Sequence, residues 1–256
     1  MDVDYQTLIR GLSQFIWPFA RIGGFVITVP IFSSTLIPSR IRVIFVALIS
    51  WVCASLVPPE LSFLNFTGSY IVYISYEVLL GMLMGFILQL AFQVFVIGGQ
   101  IISMQAGMGF AVMVDPASKA SVPLIGHLYL MMVTLIFLAL NGHLILLDAL
   151  MESFKTMPIG QATVTSPILW KVITFSGWMF KKSLLISIPA LLSLLVVSLS
   201  FGVMARAAPQ LNIFSLGFPI TLLMGMVIIK IGLPSVAAQM TEIIDDGLRF
   251  AVGMLR

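Results

Sequence analysis

Glu77 lies inside a long apolar run, and Arg21 and Lys230 lie inside two others. Charge in such a setting is expensive and ordinarily faces a partner or a water-filled path. Two chemistries follow for these three residues: an ion pair between helices or subunits, or a route for ions or protons. Glu77, Gly81, Gly85, Gln89 and Gln93 recur every four residues, which traces one slowly winding ridge of small and polar side chains along a helix. The Gly81-x-x-x-Gly85 spacing lets two backbones approach closely, and Glu77, Gln89 and Gln93 offer hydrogen bonds to whatever lies across. The ridge should meet another helix.

A second group of residues runs from Gly98 to Pro116 and is rich in glycine, methionine and glutamine. It is too irregular for an ordinary span, and irregular backbone at membrane depth is tolerated only where protein buries it or a water-filled cavity receives it. Met104, Met108, Phe110 and Met113 supply deformable apolar bulk, Gly107 and Gly109 supply backbone freedom, and Asp115-Pro116 brings turn chemistry. The stretch reads either as a gate or as a simple re-entrant connection.

Catalytic chemistry finds no foothold. His127 and His143 lack metal-ligand spacing to each other or to Cys53, and no nucleophile elbow or phosphate loop occurs, so no enzyme activity, metal or cofactor is expected. Asn141-Gly142-His143 is expected to form a buried, hydrogen-bonded cluster rather than a polar break. Cys53 is the only cysteine, so it has no partner for an intramolecular disulfide. A net charge of +3, scattered along the chain, points away from nucleic acid.

The elements that must hold these residues are apolar. Hydrophobic residues make up 60% of the 256 and charged residues 9%, with a mean hydropathy of +1.13, whereas soluble domains carry roughly 25% charge. Apolar runs at about 12–31, 41–57, 70–97, 122–150, 184–205 and 213–236 predict an all-α integral membrane protein of about six long helices in one domain, residues 1–239. Pro18, Pro30, Pro189, Pro219 and Pro234 fall within or near the ends of runs and predict kinks. Residues 240–256 form a separate amphipathic helix, with Ile244, Leu248, Ala251, Val252 and Leu255 on one face and Glu242, Asp245, Asp246, Arg249 and Arg256 on the other. That helix lies at the membrane surface or docks on a partner. No small-residue cleavage pattern follows Asp2, Asp4 and Arg10, so the first apolar run is expected to remain in the mature protein. The side bearing Arg10, Lys155, Lys171, Lys181, Lys182, Arg249 and Arg256 is expected to be cytoplasmic.

Taken in order, several segments resemble one family over nearly the whole chain. They are Ala20-Arg21, Val29-Pro30, Ile37-Pro38-Ser39-Arg40, Glu77 with Gly81 and Gly85, Met104-Gln105 through Val114-Asp115-Pro116, Asn141-Gly142-His143, Ser153-Phe154 before Pro158-Ile159-Gly160, and Ala208 through Phe214 before Gly217-Phe218-Pro219. The chain is similar to the FliR family, the R subunits of the flagellar type III secretion export gate, with the injectisome counterparts as close relatives. The resemblance implies a non-enzymatic subunit in a hetero-oligomer with P and Q subunits, near other export-apparatus membrane proteins and lipid. It implies a path for unfolded flagellar proteins at the basal body in the bacterial inner membrane. It further implies tilted helical hairpins in a right-handed assembly largely on the periplasmic side of the membrane plane, and a pore-closing plug at about 107–121. A stand-alone secondary transporter with Glu77 and Arg21 on its ion path would be expected to show paired halves, and an intramembrane enzyme a clustered nucleophile and base. Neither pattern is evident in the sequence.

Overall fold

The computed structural model describes residues 5–33, 37–54, 69–108, 124–159, 165–207 and 213–254. Among these residues the chain is all-α, with seven helices: α1 (Tyr5–Thr28), α2 (Ser39–Cys53), α3 (Ser69–Gln105), α4 (Leu124–Ala139), α5 (Gly142–Thr156), α6 (Ser166–Ala207) and α7 (Ile213–Gly253). Three helices, α3, α6 and α7, are long and apolar enough to cross a membrane, or four if α4 and α5 count as one broken span. At about 1.5 Å per residue the 42-residue α6 is about 63 Å long, twice a hydrocarbon core of about 30 Å. Only part of such a helix fits in lipid.

Three boundaries differ from the sequence expectation of six helices. The third run was expected to end near Ile97, but α3 continues through Gly98-Gly99-Gln100 to Gln105, so the first half of the irregular stretch is helix. The fourth run is two helices, because Asn141 adopts a left-handed conformation at φ 54° and ψ 27° that no helix interior accommodates. Its carbonyl then accepts from Leu144 N–H at 2.9 Å and starts α5. Asn141 is exposed and His143 Nδ1 is buried without a hydrogen-bond partner, so this tripeptide is a polar break and not the expected hydrogen-bonded cluster. Finally, α6 begins at Ser166 rather than near Leu184, since Lys171, Lys181 and Lys182 lower the local hydropathy without interrupting the helix.

Contacts divide the chain into two compact units. The first comprises residues 1–90, 141–175 and 246–256. Its core draws Trp17, Ile22 and Phe25 from α1, Leu80, Met84 and Ile87 from α3, and Leu146, Leu150 and Phe154 from α5, all buried. Phe32 stacks on Phe45 with centroids 5.0 Å apart, which ties the end of α1 to α2. The tail of α7 closes this unit: Leu248, Ala251 and Met254 are buried and Phe250 stacks on Phe175 at 4.2 Å. The apolar face expected to meet the membrane surface or a partner is therefore packed by the chain itself, and residues 240–253 continue α7 without a break.

The second unit comprises residues 91–140 and 176–245. Phe92 and Phe95 of α3 and Tyr129, Val133 and Phe137 of α4 fill it, with Phe92 and Phe137 edge to face at 5.6 Å. Ile186 and Leu194 of α6 and Ile229, Val236 and Met240 of α7 complete the core. Ser103 Oγ is buried without a hydrogen-bond partner, but other hydroxyls are satisfied locally, as where buried Ser183 donates to Met179 O at 2.7 Å and half-buried Thr134 to Leu130 O at 2.7 Å. This back-bonding suits helices in an apolar setting, where a free hydroxyl has no water to turn to.

Candidate functional site

Arg21 is the centre of the polar interior. It lies on α1 with no exposed surface, and its Nε donates to Glu77 Oε2 of α3 at 2.6 Å. Nη1 donates to Ser153 O at 2.8 Å and to Ser153 Oγ at 3.2 Å, while Nη2 donates to Met157 O at 2.8 Å. The guanidinium carbon stands 4.5 Å from the Phe154 ring centroid. One side chain thus joins α1, α3 and α5.

The chemistry of that junction follows from two needs. A helix ends with carbonyls that have no partner and with a partial negative charge, and a cation placed there stabilises it by up to about 2 kcal/mol when partly buried. Arg21 supplies this to the end of α5, where Ser153 O and Met157 O lie. Glu77 in turn is only 1% exposed and needs a counter-charge, because one unpaired buried ion costs several kcal/mol. The planar five-donor fork of arginine meets both needs at once, which the point charge of a lysine does not.

The crossing of α1 with α3 is close because glycines make it so. A Cβ at Gly81 would collide with Arg21 O and stand 2.8 Å from Phe25 N, one at Gly85 would collide with Thr28 Oγ1 and stand 2.9 Å from Phe25 O, and one at Gly24 would collide with Val78 O. The ridge predicted to meet another helix meets α1 of its own chain over Glu77, Gly81 and Gly85. Gln89 and Gln93 continue it along α3 and are half-buried. Gly24 was not foreseen, although the adjacent Gly23-Gly24 beside Arg21 carries the signal. Ser153 and Phe154 were noted without a role, since a backbone carbonyl acceptor leaves no mark in residue type.

The end of α3 is set in the second unit. Gly99 lies against Gly126 of α4, where a Cβ on Gly99 would meet Gly126 Cα at 2.7 Å, and Gly225 of α7 leaves room for Ala106. Gly107 then takes φ +79°. Met108 N–H donates to Ser103 O at 3.0 Å and Gly107 N–H to Met104 O at 3.2 Å, the paired bonds of a left-handed helix stop. The Phe218 ring lies 3.3 Å from where a Gly107 Cβ would be. Gly107 is thus a fixed stop, and the backbone freedom expected of it is already used for this turn. Met104 is 66% exposed on the last turn of α3. Gly109, Phe110, Met113, Asp115 and Pro116 lie outside the described residues.

Remaining polar residues stand apart from this core. His127 is exposed, Lys230 is exposed on α7, and among the described residues no group of three or more His, Cys, Asp or Glu side chains is arranged for a metal ion. Cys53 is buried with its Sγ 3.1 Å from Met151 Sδ, and burial pushes its thiol pKa up from the usual 9.0. A thiol so placed is unreactive.

Long apolar helices, a buried ion pair and glycine-lined crossings define a helical membrane protein whose buried Arg21 and Glu77 are paired within the chain. The match to a family model places it further: residues 12–247 match the model described as bacterial export proteins, family 1, and the chain belongs to that family. It is similar to the flagellar biosynthetic protein FliR of Escherichia coli (strain K12), with 31% identity over 238 residues, 93% of this chain and 90% of the relative. Flagellar biosynthetic protein FliR of Buchnera aphidicola subsp. Baizongia pistaciae is 32% identical over 90% of each chain. The FliR of Aquifex aeolicus is 30% identical over 95% of this chain and 94% of the relative.

Proposed function

We propose that this chain is a subunit of the flagellar type III protein export gate, where it helps to form and close the channel through which unfolded flagellar proteins leave the cytoplasm. The similarity to FliR proteins, which covers about 90% of both chains, carries this reading. Its role is non-enzymatic. Its partners are the P and Q subunits and the neighbouring membrane proteins of the export apparatus, and its place is the inner membrane at the flagellar basal body, with much of the assembly on the periplasmic side.

Two features of the chain support a division of labour. The Arg21–Glu77 pair and the Gly24, Gly81 and Gly85 crossing suit a rigid part, because each requires fixed backbone positions. The plug is assigned to about 107–121, entered from the stop at Gly107, with Met104 and Met108 at its threshold and Gly109, Phe110, Met113, Asp115 and Pro116 within it. Flexible thioethers close a hydrophobic constriction by dewetting and part around an extended chain without a fixed shape. Deleting the gene in a flagellated host tests the function: secreted flagellar proteins should vanish from the medium and return with the wild-type chain. Undiminished secretion in the deletion strain overturns the reading.

A further inference from the structure

We propose that the face of α7 bearing Lys230 is an interface for an apolar helix of a neighbouring export-gate subunit that carries one carboxylate about half-way along. This inference rests on the export-gate reading above.

Lys230 is exposed on α7 with Leu223, Met226, Val227 and Pro234 on the same helical face and Ile231 beside it, all of them exposed. Gly225, Ile229, Val236 and Met240 are buried on the opposite face. The period is that of a helix with one side spent on its own unit and the other side without cover.

Depth decides what can cover it. Within the second unit α6 and α7 run antiparallel, as Lys182 Nζ meets Glu242 Oε1 at 3.1 Å and the Gly225 position lies 3.8 Å from Leu194 Cδ2. Lys182 also stands 5.7 Å from the Trp178 ring, so a polar and aromatic belt marks one end of the apolar stretch. The other end on α6 is Arg206, about 36 Å away at about 1.5 Å per residue. Lys230 lies about 18 Å from Glu242 along α7, near the middle.

Three environments compete for this position. Lipid is a poor one: a hydrocarbon core of about 30 Å puts its centre about 15 Å from either surface, beyond what the stem of a lysine spans. A water-filled path is a poor one too, because every other side chain named on the face is apolar and would be wetted with it. A helix of another subunit covers the apolar side chains and, with a carboxylate at matching height, supplies the counter-charge. In an apolar setting that single pair also fixes register, since a shift of one turn separates the charges.

The test uses the complex purified from membranes. A benzoylphenylalanine in place of Val227 should crosslink to one subunit, and Lys230→Glu should lower co-purification at least tenfold while the variant chain keeps the wild-type helix content and thermal unfolding midpoint by circular dichroism, which shows the chain itself is folded. Exchanging one Asp or Glu in the apolar helix of the crosslinked subunit for Lys should then restore the yield to within threefold. Crosslinking to lipid alone, modification of Lys230→Cys by a membrane-impermeant thiol reagent in the assembled complex, assembly of Lys230→Glu at the wild-type yield, or failure of every carboxylate exchange to restore it overturns the proposal. Should the wild-type chain itself not co-purify with export-gate subunits, the functional reading fails first, and that result is distinct from the others.

Discussion

Replacing Arg21 by Met should open the first unit far more often than replacing Glu77 by Gln. Arg21→Met leaves a carboxylate that is 1% exposed without its partner 2.6 Å away, and breaking a buried ion pair from one side costs about 3–5 kcal/mol. It also strips Ser153 O and Met157 O of their guanidinium donors. Glu77→Gln also removes a counter-charge, from a guanidinium with no exposed surface, but it keeps a carbonyl oxygen for the Arg21 Nε–H and leaves the bonds to Ser153 and Met157 and the Phe154 ring in place, so a smaller cost of about 1–2 kcal/mol is expected. Cys53 reports the opening, being the only cysteine in the chain, buried in the same unit and in contact with Met151 of α5. Where labelling proceeds through unit opening, its rate in mild detergent scales with the open population. Arg21→Met should accelerate it by about 150- to 5,000-fold and Glu77→Gln by about 5- to 30-fold, at about 1.36 kcal/mol per decade. The double variant Arg21→Met/Glu77→Met should recover part of the loss and not all of it, because Met157 O loses its guanidinium donor and Ser153 O keeps only the Met157 N–H. An Arg21→Met rate within fivefold of wild type, or equal rates for the two single variants, would refute this account of the junction.

Further expectations concern backbone and thiol. Gly81→Ala forces its Cβ into Arg21 O, so α1 must move; the same Cys53 labelling should rise at least tenfold, and a rate equal to wild type would mean the crossing yields freely. Gly107→Ala puts a side chain at φ +79° and against Phe218, which should cost about 1–2 kcal/mol and raise hydrogen exchange at Gly107 and Met108 amides, whose acceptors are Met104 O and Ser103 O. Cys53 should make stability fall at alkaline pH: with its pKa raised in the folded unit, its contribution is complete below the usual value of 9.0 and is lost as pH climbs from there through the folded value. Cys53→Ala, followed by denaturant titration from pH 7 to 10.5, should flatten that part of the profile; an unchanged slope would assign it elsewhere.

Residue type and spacing exposed much of this architecture in advance. The four-residue recurrence of Glu77, Gly81 and Gly85 marks a helix-crossing surface directly, because small side chains at that period have few other uses. The identity of the partner helix was not legible, since a glycine shows that something comes close and not what. Gly98-Gly99 misled for the same reason: in α3 they accommodate Ser183 and Gly126 within a continuous helix, and a break had been read into them. Lysines misled in the opposite sense, dividing α6 by hydropathy where the backbone is unbroken. The Arg21 charge was legible as a problem needing a partner, yet two of its four acceptors are carbonyls, of Ser153 in α5 and of Met157 just after it, which only the fold reveals.

The claim that this chain closes an export channel meets its most direct test in the conductance of the assembled complex in liposomes. A deletion of residues 109–113, which spares the stop at Gly107, should leave the complex assembled and raise its resting conductance to ions well above that of wild type. An assembled deletion variant as tight as wild type would contradict the plug assignment, because a channel held shut by those residues must leak without them.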